Sequence, residues 1–184
     1  IITVGTPLNE HVGTHAVEFT VSDDFGSVNQ SLTITVINTN DAPIFSSTEI
    51  TAAIEDVAYS YKVTASDDDG DALTFAATTL PSWLNFETAI QVLSGTPTND
   101  DVGGHSVVLS VIDAFGAEVT QSFTITVANT NDPPSQFDLI SPQNNLTIYD
   151  NDIEFQWQLS EDVDVDDMLN YIILIHNLIM TIIF

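Results

Sequence analysis

Apolar and polar positions alternate with a period of two through much of this chain. Tyr59, Tyr61, Val63 and Ala65 fall on one side of a run that begins at Ala58. His105, Val107, Leu109, Val111 and Asp113 share one side of a second run, and Phe123, Ile125 and Val127 alternate with Ser122, Thr124 and Thr126 in a third. Such alternation, rich in Val, Ile, Thr and aromatic residues, predicts strands with one buried face. Turn sequences separate the runs: Asp-Asp-Asp-Gly-Asp at 67–71, Asn-Asp-Asp at 99–101 and Asp-Ala-Phe-Gly at 113–116. Pro81, Pro97, Pro133 and Pro134 cannot donate to a ladder, which bars a central-strand role at those positions. No stretch has the period of an amphipathic helix, so the expected class is all-β.

The pattern occurs twice. Gly5-Thr6-Pro7 opens a segment that ends at Asn38-Thr39-Asn40-Asp41-Ala42-Pro43, and Gly95-Thr96-Pro97 opens one that ends at Asn129-Thr130-Asn131-Asp132-Pro133-Pro134. The offset is 90 residues up to Gly26 and 91 from Gln30 onward, so one residue is inserted after the Phe-Gly pair, where a hairpin loop tolerates it. Solenoid units repeat every ~20–50 residues. A period near 90 instead suits tandem β-sandwiches of ~100 residues each. The division expected is 1–43 as the C-terminal half of a module, 44–134 as a complete one and 135–184 as the start of a third that stops early, the whole being a fragment of something longer.

Residues 171–184 are strongly apolar, yet they include His176 and Asn177 and number fewer than the ~20 residues a membrane helix requires. They are expected to be buried strands of the third module. Left uncovered, they would be a β-prone aggregation hazard.

Charge changes the picture most. The chain has 27 acidic residues and one basic residue, Lys62, for a formal net charge of −26. Binding to nucleic acid or to an anionic membrane surface needs Lys and Arg, so both are excluded as partners. High charge also favours disorder. The 43% apolar content and the alternating runs weigh against it. Cysteine is absent, which removes disulfides, thiolate metal sites and thiol catalysis.

The acidic residues gather where modules would meet. Glu55-Asp56, the 67–71 run, Asn99-Asp100-Asp101, Asp113 and the 129–132 linker all offer oxygen atoms. A hard cation such as Ca²⁺ takes six to eight oxygen ligands. Two carboxylates about 5 Å apart repel by about 3 kcal/mol at an effective dielectric near 20. Several converging at one junction would splay it, and a divalent cation would turn repulsion into coordination. Two other readings stay open. Asp and Asn also fill turns for local geometric reasons, and an acidic surface also suits a salty medium.

These segments resemble cadherin-like repeats, closest to the dystroglycan-type modules of bacterial surface proteins, with an Ig-like Greek-key β-sandwich as the implied fold. Asn40-Asp41-Ala42-Pro43-Ile44-Phe45 is similar to the cadherin linker, Asp67-x-Asp69 to the family's Asp-x-Asp, and Asp23 and Asp113 to its late-strand Asp. Asn99-Asp100-Asp101 stands where cadherins carry Leu-Asp-Arg-Glu. The likeness fades after about residue 134, where Phe137 to Trp157 also resembles a fibronectin type III start. The resemblance implies Ca²⁺ held at one junction by Glu10, Asn40, Asp41, Asp67, Asp69 and Asp113. A second would use Glu55, Asp100 or Asp101, Asn131, Asp132, Asp162 and Asp164. Asn38 and Asn129 replace the first linker Asp, a linker residue is missing before Pro43, and the Arg is absent, which implies fewer or weaker ions.

Other constellations point elsewhere. The four His residues lack metal-ligand spacing, with His15 and His105 at equivalent strand starts. Gly-Thr-Pro is not followed by Gly-Lys-Ser/Thr and is therefore a turn. A carboxylate pair is the minimum for glycoside hydrolysis, but no long loop set builds a cleft around one. Trp83 reads as core, with sugar stacking as its alternative. Asn29-Gln30-Ser31 and Asn145-Leu146-Thr147 match glycosylation sequons. The function expected is a calcium-binding, non-enzymatic array of a secreted or surface-attached protein, serving adhesion or spacing. Its partners would be neighbouring modules and another surface protein or a polysaccharide. The rivals are an accessory or carbohydrate-binding module of an extracellular enzyme and an ion-indifferent, salt-adapted stalk.

Overall fold

The structure, a computed structural model, describes residues 5–143, 154–164 and 167–174. Every strand below lies within them, and no α-helix occurs among them. The chain divides into two units, Ile1–Ala128 and Asn129–Phe184.

The first unit opens with a 3₁₀ turn, Asn9–His11, and a long hairpin of β1 (Gly13–Asp23) and β2 (Gly26–Val36). The hairpin pairs from Gly13↔Val36 to Asp23↔Gly26, leaving only Asp24 and Phe25 in its loop. Among the described residues it forms a sheet of two strands with no third neighbour.

A sandwich follows. Its larger sheet has the order β4-β11-β10-β7, made of β4 (Ala52–Ile54), β7 (Thr74–Thr79), β10 (Gly103–Ile112) and β11 (Glu118–Ala128). The β4–β11 pair is parallel, and the β11–β10 and β10–β7 pairs are antiparallel. Its smaller sheet has the order β5-β9-β8, made of β5 (Tyr59–Lys62), β8 (Leu84–Glu87) and β9 (Val92–Gly95). A short pair, β3 (Ile44–Phe45) with β6 (Ala65–Ser66), closes one edge. Tyr59, Tyr61, Leu84 and Leu93 of the smaller sheet pack with Ala53, Val107, Leu109, Ile125 and Val127 of the larger one. These are the inward positions of the alternating runs, which is why the alternation is so clean here.

The run from Ala58 is not one straight strand. It breaks at Val63-Thr64, with β5 pairing to β9 and β6 pairing to β3. Val63 stays buried across the break, so the alternation survives while the strand changes partner. The repeat's extra residue sits in a loop: β10 and β11 close through residues 113–117, against two loop residues in β1–β2. Trp83 is half-buried and packs against the core cluster.

The second unit has one small hairpin, β12 (Leu139–Ser141) with β13 (Gln156–Trp157). Phe137, Trp157 and Tyr171 gather beside it, with ring centroids 5.3–5.5 Å from Tyr171. The expected buried strands of the tail are not what residues 171–174 show. They form no strand, and Ile172 and Leu174 are 80% and 79% exposed. Among the described residues of this unit, the two short strands form the one small sheet and leave them uncovered. Residues 175–184 and the Asn145 sequon lie outside the described residues.

Candidate metal centre

The turn after β6 builds the acidic site. Asp67 Oδ1 accepts the amide of Asp69 at 2.9 Å and that of Asp71 at 3.4 Å, while the Asp67 carbonyl accepts Gly70 N–H. Gly70 has φ +77°, the left-handed region that glycine enters freely. This folding brings carboxylate oxygens of Asp67, Asp69 and Asp71 within 4.8 Å of one another.

Asp113, buried just after β10, lies near enough to interact electrostatically with Asp71. Its Oδ1 accepts the amides of Phe115 (2.9 Å) and Ala117 (2.8 Å), which shapes the hairpin loop. The linker reaches in from the other side. Asn40 Nδ2 donates to Asp113 Oδ2 at 2.7 Å, and the Asp41 amide donates to Asp69 Oδ2 at 2.7 Å. Asn9 Nδ2 then donates to Asp41 Oδ2 at 2.6 Å.

The electrostatics divide the cluster. The Asn40 side chain, helped by the loop amides, holds Asp113 below the ordinary carboxylate range against its own desolvation. Asp71 moves the other way: desolvation pushes it up, reinforced by Asp67, Asp113 and Asp69. A raised value means that the fold favours Asp71 protonated and is strained by its charge above the ordinary carboxylate range. Asp67 Oδ2 and Asp71 Oδ2 are buried without a hydrogen-bond partner. The lone basic side chain does not help, since Lys62 donates to Ile90 O and to Gln91 Oε1. Anionic oxygens without donors are what a hard cation requires, so the donor set fits Ca²⁺.

The second unit repeats part of this geometry. Asp162 Oδ1 accepts Asp164 N–H at 2.9 Å, as Asp67 does for Asp69. The Asp132 amide donates to Asp164 Oδ2 at 2.6 Å, as Asp41 does to Asp69. Asn131 Nδ2 donates to the Asp132 carbonyl at 3.0 Å, as Asn40 does to that of Asp41 at 3.1 Å. Asn129 Nδ2 also donates to Asp164, and Asp162, Asp164 and Asp167 form a second carboxylate trio.

The remaining candidates sit apart or carry local roles. Glu10 is exposed, 3.9 Å from His11, and its neighbour Asn9 makes the linker contact. Asp23 is exposed and accepts the amides of Phe25 and Gly26. Asp101 Oδ2 accepts Thr98 N–H and Oγ–H, capping the 3₁₀ turn Asn99–Asp101, and Asp100 is exposed. Glu55 is buried, and its amide donates to Ala128 O.

Asp71 lies in the 67–71 run that the sequence marks as offering oxygen atoms but was not assigned to a junction, and Asp167 was not singled out. The run at 67–71 contained the signal: in Asp-x-Asp-Gly-Asp, a glycine turn brings the third Asp back to the first. Asp167 has a different spacing, and no alternation marks it. Asn9 was missed because its neighbour Glu10 carries the charge.

Comparison with known proteins agrees with this architecture. Residues 42–128, which span β3 to β11, match the family model He_PIG, described as "Putative Ig domain". A serine-rich adhesin for platelets from Staphylococcus aureus (strain MRSA252) is 31% identical over 131 residues, 67% of this chain. The chain spans only 9% of that adhesin's length. Protocadherin gamma B2 extracellular domains 1–5 superpose with a TM-score of 0.52 at 18% identity, covering 84% of this chain and 33% of that one. An endo-fucoidan hydrolase of glycoside hydrolase family 107 matches at 31% identity and TM-score 0.45, over 68% of this chain and 20% of the enzyme. Residues 42–128 thus form an Ig-like domain with a cadherin-like fold, similar to part of a bacterial surface adhesin, and the setting is extracellular or cell-surface.

Proposed function

We propose that this chain of cadherin-like β-sandwich modules is a calcium-stiffened array that serves in adhesion or as a stalk, with no catalytic turnover. One observation carries the calcium reading: Asp67 and Asp71 each keep a buried oxygen without a donor, beside Asp69 and Asp113. When bound there, Ca²⁺ would supply positive charge and oxygen coordination that this chain's own residues lack. Asp67, Asp69, Asp71 and Asp113 would hold it, with Asn40 and Asp41 of the linker already tied to the same group. Extracellular modules bind Ca²⁺ at about 10⁻⁴–10⁻³ M, so occupancy would follow the outside medium. The Asp162, Asp164 and Asp167 trio is a second, smaller candidate.

The division into 1–43, 44–134 and 135–184 is part of the same reading, since the linker geometry recurs at Asn40-Asp41 and Asn131-Asp132. Likeness to a surface adhesin favours a surface molecule, protein or polysaccharide, as the partner.

Isothermal calorimetry on the full chain tests the calcium claim. Binding at millimolar or tighter Ca²⁺, lost in Asp67→Ala/Asp69→Ala and weak with Mg²⁺, is expected. Absence of a Ca²⁺ heat, with equal stabilisation by NaCl, would leave a salt-adapted spacer. Binding of a polysaccharide without Ca²⁺ would favour the accessory-module reading.

A further inference from the structure

The acidic turn after β6 contains a reactive peptide bond. Of the chain's eight glycines, only Gly70 follows an Asp or Asn. At an Asp-Gly bond the glycine amide nitrogen can attack the aspartate Cγ, because no side chain on the glycine hinders the approach. The N–Cγ bond forms and the Cγ–OH bond breaks. The amide proton leaves with that hydroxyl as water, and a five-membered succinimide remains. A second water opens the ring at the main-chain carbonyl, breaking its bond to nitrogen. The product, isoaspartate, has the mass of the parent. Its main chain runs through Cβ and Cγ, one carbon longer than before, and its carboxylate hangs from Cα.

Gly70 leaves room for that ring. It is exposed, and a Cβ built on it would meet nothing within 4 Å. Both reacting groups have other partners in the folded turn. The Gly70 N–H donates to the Asp67 carbonyl over a long 3.2 Å, and Asp69 Oδ2 accepts the Asp41 amide at 2.7 Å. The second bond belongs to the linker. Asn40 holds the linker in place through its Nδ2, which donates to the Asp41 carbonyl at 3.1 Å and to Asp113 Oδ2 at 2.7 Å. Local opening of the linker frees the Asp69 carboxyl to turn on Gly70. The second unit supplies a contrast. Asp164 takes the place of Asp69, accepting the Asp132 amide at 2.6 Å, but Val165 follows it. A β-branched side chain crowds the attacking nitrogen.

We infer that Asp69-Gly70 is a self-modification site latched by the linker. While Asn40-Asp41 is docked, residue 69 stays an ordinary aspartate. When the linker lets go, it converts to isoaspartate. The conversion moves the carboxylate away from Asp67 and Asp71 and removes the acceptor of the Asp41 amide, so the linker does not dock again in the same way. The turn thus keeps a one-way chemical record of linker release, which the 162–164 turn does not. Neither step requires a bound cation.

The test keeps the full chain in EDTA at neutral pH and samples it over time. A chymotryptic digest with electron-transfer fragmentation tells aspartate from isoaspartate at 69 and at 164. Isoaspartate is expected at 69 and not at 164, forming more slowly than in a free peptide of residues 65–73. Asn40→Ala, at an exposed position, is expected to raise the rate about fivefold, the weight of one hydrogen bond on an opening equilibrium. Asp69→Glu is expected to give no isomer, since its ring would need six members. No isoaspartate at 69 in Asn40→Ala while the peptide converts would overturn the proposal. So would equal conversion at 69 and 164, or a full-chain rate that matches the peptide and ignores Asn40→Ala. Millimolar Ca²⁺ separates this claim from the calcium reading. Slowing by Ca²⁺ supports both, whereas a rate that Ca²⁺ leaves unchanged, with the Asn40→Ala effect intact, overturns the calcium reading alone.

Discussion

The β1–β2 and β10–β11 hairpins are two copies of one repeat in two surroundings. Their registers coincide from the Gly13↔Val36 and Gly103↔Val127 ends, and each loop is organised by an Asp accepting two amides, Asp23 or Asp113. Pairing therefore follows from alternation and turn chemistry, which both copies share. Burial does not. Leu109, Val111 and Ile125 are fully buried, whereas Phe19, Val21 and Ile34 remain half or more exposed. The Asp pair diverges for the same reason: Asp113 is buried beside the 67–71 turn and the linker, and Asp23 is exposed.

The contrast breaks most sharply in the core. Leu109→Ala is expected to cost about 2–5 kcal/mol, as buried leucines do, while Phe19→Ala stays within about 0.5 kcal/mol, as exposed positions do. Urea unfolding of the two variants measures the gap, and similar losses would mean that β1–β2 is covered in solution. Gly95→Ala comes next. The Cβ would collide with the Trp83 carbonyl, and such overpacking costs about 1–3 kcal/mol. Unfolding followed by tryptophan fluorescence reports it.

The Asp pair sharpens the comparison at the candidate site. Asp71→Asn removes a charge that its carboxylate neighbours disfavour, so it is expected to raise the melting temperature in chelator. The same change should abolish the rise that Ca²⁺ gives the parent chain. Asp113→Asn should weaken Ca²⁺ binding, and Asp23→Asn should leave it unchanged. A modest effect is expected for Asn40→Ala. Loss of the bond to Asp113 costs about 1 kcal/mol in the ion-free chain, measurable by the same melts.

Particular residues show how far the sequence could be read. Tyr59, Tyr61, Val107, Leu109, Ile125 and Val127 were legible as core because period-two alternation encodes which face is buried. The break at Val63-Thr64 was not, since a strand that changes partner without losing its alternation leaves no mark in the pattern. Asp67, Asp69 and Asp113 were legible as a group through the family resemblance. Asp71 was read only as part of the 67–71 run because its approach to Asp67 depends on the left-handed Gly70 turn, and Asn9 was hidden because a neutral amide draws no notice in so acidic a chain. Residues 171–174 misled because apolar content does not by itself imply burial: Ile172 and Leu174 are exposed.

The central claim is that Ca²⁺ joins the linker to the acidic turn. Hydrogen exchange of the Asp41 amide, which donates to Asp69 Oδ2, tests it most directly, read in EDTA and in millimolar Ca²⁺ at matched ionic strength. Exchange slowed by Ca²⁺ at Asp41 and across 67–71, and unchanged in Asp67→Ala/Asp69→Ala, is the predicted result. Exchange that NaCl slows equally, or that Ca²⁺ leaves untouched, would contradict the account.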